Sequence, residues 1–435
     1  MAEIAADTAH HEPFVPSPPT SVADTGLGLG FLTDLAVKTM YLEGTILGYE
    51  MGEHLRLPHA NVVEDVFESM RREKLCEVKG TATARGAAGL GSAAYRYEIT
   101  DKGRSVAREA MQRSQYVGPA PVPLPAYNSG IRRQPLGDLS VHREGLEGVL
   151  SHLVIDDDTM AQLGAAVNSR RSMFLFGPPG NGKTAISEGI GDLVLRGSLF
   201  IPYAIESESQ VIKVFDGVNH KLEEDPSGNN KYDRRWLKIR RPVITVGGEM
   251  TLAELDLIYE PTSKYYEAPL QMKANGGMLL IDDFGRQQAR PRDLLNRWIV
   301  PLEKRSDFLT LHTGRKVQVP FDLLVVFATN IAPKELVDEA FLRRIRHKIE
   351  IEDPTWEEYR QIFRGVCQER GVPYNEQALA YLIREHYAKR NRAKRGCHPR
   401  DLVEQIRDIA SYLDVEPVLT KDLIDKACSS YFVDL

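Results

Sequence analysis

One loop of eight residues constrains this chain more than any other stretch. The loop, Gly177-Pro178-Pro179-Gly180-Asn181-Gly182-Lys183-Thr184, follows the apolar run Met173–Phe176 and precedes apolar residues at helical spacing. Glycines let backbone N–H groups turn toward a polyphosphate, and the positive end of the following helix adds attraction. A strand before the loop and a helix after it are the setting that this motif requires. The sequence therefore predicts a nucleoside triphosphate site in an α/β fold.

Side chains at the end of this loop carry the expected chemistry. The Lys183 ammonium is expected to reach the terminal phosphates, and the Thr184 hydroxyl is expected to ligate magnesium. Ala185, in the first turn of the helix, completes the predicted nucleotide contacts. We expect ATP and Mg²⁺ as the cofactors.

A second predicted strand ends in two carboxylates. The apolar run Met278–Ile281 is followed directly by Asp282 and Asp283. A continuous apolar run fits a central strand of a parallel sheet, and ligands bind at the carboxyl ends of such strands. We expect Asp282 to hold Mg²⁺ beside Thr184, and Asp283 to polarise the attacking water.

A third apolar run, 323–328, ends in the polar pair Thr329-Asn330. Asn330 at its tip is placed to orient water against the terminal phosphate. Two consecutive arginines, Arg343 and Arg344, follow a short helical segment. Because phosphoryl transfer gains most from positive charge aimed at the developing oxyanion, these guanidinium groups are candidate catalytic groups.

The order of these parts resembles the AAA+ ATPases over roughly residues 140–435. His398-Pro399-Arg400, in a helical C-terminal region, is similar to the sensor 2 motif of that superfamily. The resemblance implies a parallel-sheet core followed by a helical lid, with Asn330 as sensor 1 and Arg400 contacting the phosphates in cis. It also implies that Arg343 and Arg344 are arginine fingers that reach the nucleotide of a neighbouring subunit. A finger acting in trans requires a homo-oligomer, so a ring of six is expected.

The chain departs from the AAA+ pattern in two places. Asp283 stands where the superfamily has a catalytic Glu, and a carboxylate shorter by one methylene should slow hydrolysis. The second departure is the 98-residue separation of Thr184 from Asp282, which predicts a surface insertion. Within it, Tyr265 and Tyr266 fit either a peptide-gripping pore loop or aromatic packing. A hairpin expected before the Asn330 strand looks like that of the MoxR-like branch.

Residues 26–115 resemble a winged helix-turn-helix domain, most clearly at the wing-to-helix junction 95–103. The third helix would present Glu64, Asp65 and Glu68 outward, and the segment carries 12 Lys+Arg against 12 Asp+Glu. Because DNA binding through phosphates needs a surplus of positive charge, we favour protein docking or a structural role. DNA binding by this segment stays as the alternative.

The chain is thus expected to divide into five parts. They are a disordered leader 1–25, the winged-helix domain 26–115, a proline-rich linker 116–136 acting as a spacer, an α/β ATPase core 137–352 and a helical lid 353–435. Within the lid, the basic run 389–395 fits a solvated loop, or else a contact with nucleic acid or an acidic partner.

The composition limits the cellular compartment and the classes of partner that we expect for this chain. The net charge of −6 gives no general reason to expect nucleic-acid binding, and the four separated cysteines fit a reducing cytoplasm. No apolar run approaches the length of a membrane span, so we expect no membrane association. The expected function is an ATP-hydrolysing ring that remodels a protein partner or acts as its chaperone. A DNA-acting regulator or loader and a slow, nucleotide-switched scaffold are the alternatives.

Overall fold

The N-terminal part of the chain folds into helices around a small sheet. The structure, a computed structural model, describes residues 14–81, 91–136, 141–223, 231–336 and 339–432. The first elements are α1 (Leu29–Glu43), β1 (Thr45–Leu47), α2 (Gly48–Leu55), α3 (Glu64–Arg72), β2 (Cys76–Thr81), β3 (Tyr95–Ile99) and α4 (Asp101–Arg113). The three strands pair antiparallel in the order β1-β3-β2, and the buried faces of the helices cover them. The tip of the expected wing, 82–90, lies outside the described residues.

The segment expected to be a spacer is part of a folded unit instead. After α4 come β4 (Val122–Pro123) and α5 (Leu124–Arg132), and β4 pairs in parallel with a later strand. Tyr127 on α5 is fully buried. Pro125 stands in the first turn of α5, where a missing N–H group costs nothing. The alternating prolines therefore suit the entry to a helix here, and the prediction of an extended linker is wrong.

The expected disordered leader is also partly ordered. Phe14 packs edge-on against Trp236, with ring centroids 5.6 Å apart, and the Arg133 guanidinium lies over its ring. The Pro16 carbonyl accepts a hydrogen bond from the Asp233 backbone N–H at 2.8 Å. The prediction is therefore wrong for residues 14–25, because their partners lie more than a hundred residues away in sequence. Residues 1–13 lie outside the described part of the chain.

The core of the molecule is a parallel sheet with helices on both faces. Its first elements are α6 (Arg143–Leu150), α7 (Asp157–Ser169), β5 (Met173–Phe176) and α8 (Lys183–Val194). The inserted region follows, with β6 (Ser198–Pro202), β7 (Ala204–Ser207), β8 (Gln210–Lys213) and β9 (Trp236–Arg240). The chain then returns to the core sheet at β10 (Val243–Val246).

The elements between β10 and the C-terminal helices belong either to the core sheet or to the inserted region. They are β11 (Ile258–Glu260), β12 (Tyr265–Glu267), α9 (Leu270–Lys273), β13 (Met278–Ile281), α10 (Pro291–Lys304), β14 (Ser306–Thr310), β15 (Lys316–Pro320), β16 (Leu324–Thr329), α11 (Pro333–Leu336), α12 (Glu339–Leu342) and β17 (His347–Glu350). The core sheet has the order β10-β13-β16-β5-β17, with all neighbouring strands parallel. Successive residues of β13 and β16 face opposite sides and join two separate apolar clusters.

The inserted strands form a second body with the N-terminal part. A five-stranded sheet of order β11-β12-β8-β7-β4 packs with the β6-β9 and β14-β15 pairs around one apolar cluster. The N-terminal helices dock onto this body, since the Gln115 N–H donates to the Ser263 carbonyl and the Ala120 N–H to the Leu55 carbonyl, both at 2.8 Å.

The C-terminal region is a helical unit with its own core. It consists of α13 (Trp356–Arg370), α14 (Glu376–Leu382), α15 (His398–Tyr412) and α16 (Lys421–Tyr431). Thr355 and Glu358 form a capping box at the start of α13. The expected α/β class, with a parallel-sheet core and a helical lid, is confirmed. No helix in the described ranges is both long and apolar enough to cross a membrane.

Candidate functional site

Three neighbouring strands end at one edge of the core sheet and bring the predicted polar residues together. β5 leads into the phosphate loop, β13 into Asp282 and Asp283, and β16 into Asn330. The Thr184 hydroxyl donates to an Asp282 carboxylate oxygen at 3.0 Å. The Asn330 amide donates to an Asp283 oxygen at 3.3 Å. The structure thus brings Thr184, Asp282, Asp283 and Asn330 together at this edge, while their roles stay predictions.

Lys183 is held inside the loop. Its side chain is buried, and its ammonium donates to the carbonyls of Gly177 and Pro178 at 2.9 and 2.8 Å. Burial lowers the pKa of Lys183, while the charges of Asp282 and Asp283 act in the opposite direction. The cation therefore lies near both carboxylates, where an anionic phosphate would meet it.

Two glycines of the loop allow close approach of other backbone segments. Gly177 has φ +134°, and a Cβ there would lie 2.3 Å from the Ile351 carbonyl oxygen, just after β17. Gly180 has φ +82°, and a Cβ there would lie 2.5 Å from Sγ of Cys397 in the lid. The loop is therefore fixed against both the sheet and the lid.

A buried glutamine braces the segment after β13, and sequence reasoning missed it. The Gln287 amide donates to the carbonyls of Asp282 and Asp283 at 2.9 and 3.3 Å, and its oxygen accepts from the Gly285 N–H at 2.8 Å. Asp283 itself adopts φ +47°, in the left-handed region. Because these hydrogen bonds depend on the folded position of Gln287, no sequence pattern predicts them.

The donor set at this edge fits magnesium bound together with a nucleotide. Thr184 and Asp282 would supply oxygen ligands, and Mg²⁺ at such sites takes its remaining ligands from phosphates and water. Across the ranges described above, no group of three or more His, Cys, Asp or Glu side chains is arranged to hold a metal by itself. The phosphates of a bound nucleotide would add ligands to the oxygen atoms of Thr184 and Asp282.

Arg343 and Arg344 lie at the opposite edge of the sheet. They precede β17, so the length of the strands separates them from the phosphate loop of the same chain. Arg343 pairs with Glu339 at 3.1 Å, and Arg344 pairs with Glu303 at 2.6 Å. Both arginines line a cleft of about 650 Å³. Its cationic side chains are Arg171, Arg305, Arg343, Arg344, Arg346 and Lys348.

Arg400 lies in the first turn of α15, and its helix begins beside the phosphate loop. The Cys397 N–H, just before α15, donates to the Gly180 carbonyl at 2.7 Å. The Arg400 side chain is exposed and its Nε lies 3.2 Å from Asp401. The structure thus places Arg400 within three residues of a contact with the loop, without a direct contact to it.

The basic run 389–395 is largely engaged within the chain. Lys389 pairs with Glu385, Arg395 with Asp353 and Arg392 with the ring of Phe432, and the Lys394 ammonium lies 4.3 Å from the ring centroid of Trp356. These contacts favour an intramolecular role over a solvated loop or a nucleic-acid contact.

The two tyrosines considered for a pore loop pack within the inserted body. Tyr266 is 1% exposed and its hydroxyl accepts from the His312 N–H at 2.9 Å. Tyr265 is partly buried and packs edge-on against Tyr116, with centroids 5.8 Å apart. Of the two alternatives, aromatic packing is the one the structure displays.

Comparison with known proteins gives weak similarities. A family model described as a domain of unknown function, DUF8689, matches residues 355–430, within the lid. None of the curated proteins compared with the chain matches it. The structure of RuvB from Thermotoga maritima, a Holliday junction branch migration motor, has 14% sequence identity to this chain and a TM-score of 0.37. The match covers 65% of this chain and 71% of the RuvB chain.

NtrX of Brucella abortus, whose structure was solved with ATP and with ADP, has 15% identity and a TM-score of 0.39 in both complexes. The match with the ATP complex covers 64% of this chain and 57% of the NtrX chain. Similarities of this size carry no information about substrate or partner. The fold is instead assigned from the strand order and from the position of the phosphate loop. With the phosphate loop after β5 and the acidic pair after β13, next to the Asn-ending strand, the chain has the AAA+ P-loop NTPase fold.

Proposed function

We propose that this protein is an ATP-binding and ATP-hydrolysing AAA+ ring ATPase that acts on a protein partner. The observation that carries the proposal is the meeting of Thr184 with Asp282, and of Asn330 with Asp283, at the edge where the phosphate loop opens. Each pair joins strands that are distant in sequence, and each matches the chemistry that phosphoryl transfer needs.

The proposed roles follow from these positions. Backbone N–H groups of the loop 177–184 and the first turn of α8 at Ala185 would surround the phosphates, with Lys183 neutralising their charge. Thr184 and Asp282 would hold Mg²⁺, which would offset the negative charge of the phosphates. Asp283 would orient and polarise the attacking water, and Asn330 would fix Asp283 and the terminal phosphate.

We expect turnover to be slow. Asp283 is shorter than the Glu of the superfamily, and its carboxylate already accepts a hydrogen bond from Asn330. A water held at a suboptimal distance loses part of the advantage of proximity. Slow hydrolysis leaves a nucleotide-bound state with a long lifetime.

A ring, with six copies as in the superfamily, explains the position of Arg343 and Arg344. Within one chain they lie at the sheet edge opposite the phosphate loop, in a cleft whose cations outnumber its single acid, Glu303. A head-to-tail interface that closes into a ring would bring this edge to the loop of the next copy. Arg346, which lines the same cleft, joins them as a further candidate.

The N-terminal unit supports a protein partner better than DNA. Its four helices and small sheet are compatible with the proposed winged-helix fold. On α3, the exposed positions include Asp65 and Glu68, and the residues 26–115 carry no net charge. Arg71 and Arg72 are exposed at the end of the same helix, so α3 offers no surplus of positive charge to the phosphates of a DNA groove. Titration with duplex DNA at low salt should show no salt-dependent binding, and salt-dependent binding would favour the DNA-acting alternative.

A nucleotide-switched scaffold is the second candidate. The burial of Tyr266 and the packing of Tyr265 leave the proposed ring without these two aromatic grips on a polypeptide. The N-terminal unit docks on the inserted body and is not carried on a spacer. Both observations favour a motion of whole bodies over threading of a chain.

Nucleotide binding and turnover test the proposal directly. A fluorescent ATP analogue with Mg²⁺ should bind the wild-type protein, and Lys183→Ala should abolish that binding. The exposed Lys316→Ala serves as the matched control, since Lys316 lies on the hairpin strand β15. Asp282→Asn should retain weaker binding but lose the magnesium dependence. Wild-type protein that neither binds nor hydrolyses ATP would refute the proposed function.

A further inference from the structure

Asn181 lies within the phosphate loop, and its side chain forms hydrogen bonds with the junction between core and lid and with the segment before α15. Its amide nitrogen donates to the Glu352 carbonyl at 3.0 Å and to an Asp353 carboxylate oxygen at 2.8 Å. Its amide oxygen accepts from the Gly396 N–H at 2.9 Å. One side chain therefore bonds to two separate segments of the chain, the junction between core and lid and the segment just before α15.

The partners fix the orientation of this amide. A carbonyl such as that of Glu352 only accepts, and the backbone N–H of Gly396 only donates. Reversing the Asn181 amide would therefore break both bonds at once. The position requires a short side chain that both donates and accepts hydrogen bonds. The amide of asparagine meets this requirement.

Neighbouring contacts close the same junction. The Cys397 N–H donates to the Gly180 carbonyl at 2.7 Å, and Arg395 pairs with Asp353. A Cβ at Gly396 would lie 3.3 Å from the Gly180 carbonyl oxygen, so the two backbones are in direct contact. The α15 helix begins at His398, and Arg400 follows within its first turn.

We propose that Asn181 is a positioning residue that fastens the phosphate loop to the lid and thereby sets the place of Arg400 relative to the bound nucleotide. The inference rests on the proposed nucleotide site and adds a residue whose side chain acts through the lid. When the loop adjusts to phosphate, the segment 395–397 must follow, because its N–H groups at Gly396 and Cys397 donate hydrogen bonds to Asn181 and Gly180.

The first test measures the junction without nucleotide. Hydrogen–deuterium exchange of the peptide that contains Gly396 and Cys397 should rise about tenfold in Asn181→Ala, since one backbone donor loses its acceptor and its neighbour loses support. Asn375→Ala is the matched control. Asn375 caps α14 within the lid through bonds to the N–H groups of Gln377 and Ala378, and it makes no bond to the loop. Unchanged exchange at 396–397 in Asn181→Ala would overturn the proposal.

The second test uses a reciprocal exchange of the two side chains. Asn181→Asp removes both donated bonds and sets two carboxylates against each other, so affinity for a fluorescent ATP analogue should fall about tenfold. Adding Asp353→Asn reverses the polarity of the pair, and it keeps a carboxylate near Arg395. The double variant should therefore bind more tightly than Asn181→Asp alone. A double variant whose losses simply add would show that the two side chains do not act together.

The third test concerns Arg400. If Asn181 positions Arg400, the loss of affinity from Arg400→Ala should be smaller in the Asn181→Asp background than in the wild type. Equal losses in the two backgrounds would overturn the positioning role. A wild-type protein that binds no nucleotide would refute the proposed function instead, while the exchange result would still report on the junction.

Discussion

Asp283 adopts a backbone conformation that few residues other than glycine tolerate. Its φ of +47° lies in the left-handed region, which aspartate and asparagine enter more readily than glutamate does. The strain is compensated locally, since Gln287 binds the carbonyls on both sides of the turn. The shorter carboxylate therefore suits the geometry of this turn, and the same geometry aims it at Asn330.

Replacing Asp283 by asparagine tests its role in hydrolysis. Asp283→Asn keeps the shape and an oxygen for the Asn330 amide, but it removes the charge that polarises water. We expect ATP turnover to fall about a hundredfold or more, while the affinity for ATP stays within about twofold. Steady-state hydrolysis and analogue binding, measured on the same preparation, separate the two effects. Turnover that stays at the wild-type level would remove Asp283 from the mechanism.

At the scale of residues, the sequence was informative where a motif follows a strand. Thr184, Asp282 and Asn330 could be placed together because parallel strands bring their carboxyl ends to one edge. The roles of Gln287 and of the Asn181 side chain could not be predicted. Each depends on contacts between segments far apart in sequence, and no spacing records such contacts.

A buried ion pair joins the inserted strands to the N-terminal part of the chain. Arg235 and Asp233 are 5% and 4% exposed and lie 2.8 Å apart. The Arg235 guanidinium also donates to the carbonyls of Thr25 and Pro121, at 2.8 and 3.2 Å. The turn before β9 thus binds both the N-terminal segment and the segment before α5. The sequence alone predicted a disordered leader and a spacer for these two stretches.

Removing the carboxylate should loosen that junction. Asp233→Ala leaves a buried guanidinium without its counter-charge, which costs about 3–5 kcal/mol in the free energy of unfolding. Denaturant unfolding followed by the fluorescence of the nearby Trp236 measures the loss. Glu53→Ala is the control, because it removes an exposed ion pair with Arg234 and should cost at most about 1 kcal/mol. Equal effects of the two changes would contradict the structural role of the buried pair.

The start of α15 should respond to pH through His398. Burial lowers the pKa of this imidazole to about 4, with the charges of Arg395 and Arg392 acting in the same direction and those of Asp401 and Asp353 opposing them. The ordinary value of 6.5 applies to the unfolded chain. Between pH 6.5 and 4 the unfolded chain therefore binds a proton that the folded lid does not, and the stability from this group is lost as pH falls.

The expected loss is about 1–2 kcal/mol, because His398 is partly exposed and solvent screens its charge. Thermal unfolding of the wild type and of His398→Phe, compared at pH 7 and pH 5, measures it. The wild type should lose more stability than the variant on acidification. The exposed His54→Phe, on α2, should behave as the wild type does. A wild type and His398→Phe with the same pH dependence would contradict the assignment.

At the scale of elements, continuous apolar runs were enough to predict the central strands of a parallel sheet, and the family resemblance predicted the helical lid. Sequence patterns failed for segments whose burial depends on a distant partner. The proline-rich stretch 116–136 reads as an extended spacer, yet Tyr127 of α5 is fully buried among inserted strands. The local composition of a segment indicates which backbone conformation it prefers. It does not indicate which distant residues will pack against it in the fold.

The whole molecule places its cationic and anionic edges on opposite sides of the core sheet. Asp282 and Asp283 lie at the carboxyl ends of the strands, while Arg343, Arg344 and other cations line the cleft at the amino ends. Such polarity is suited to a head-to-tail assembly, in which each copy completes the site of the next. The sequence motifs suggested this arrangement only through family resemblance, because no pattern within one chain reports what a second copy contacts.

The central claim, a nucleotide site completed by a second copy, is tested most directly by mixing two inactive variants. Lys183→Ala lacks a working phosphate loop but keeps its arginines, and Arg344→Ala keeps the loop but lacks the arginine. Each variant alone should hydrolyse ATP at a small fraction of the wild-type rate. Mixed in equal amounts with free exchange of subunits, they should regain roughly a quarter of wild-type turnover, because one interface in four then joins two intact halves. A mixture that stays as inactive as its components, under conditions where subunit exchange is demonstrated, would contradict the account.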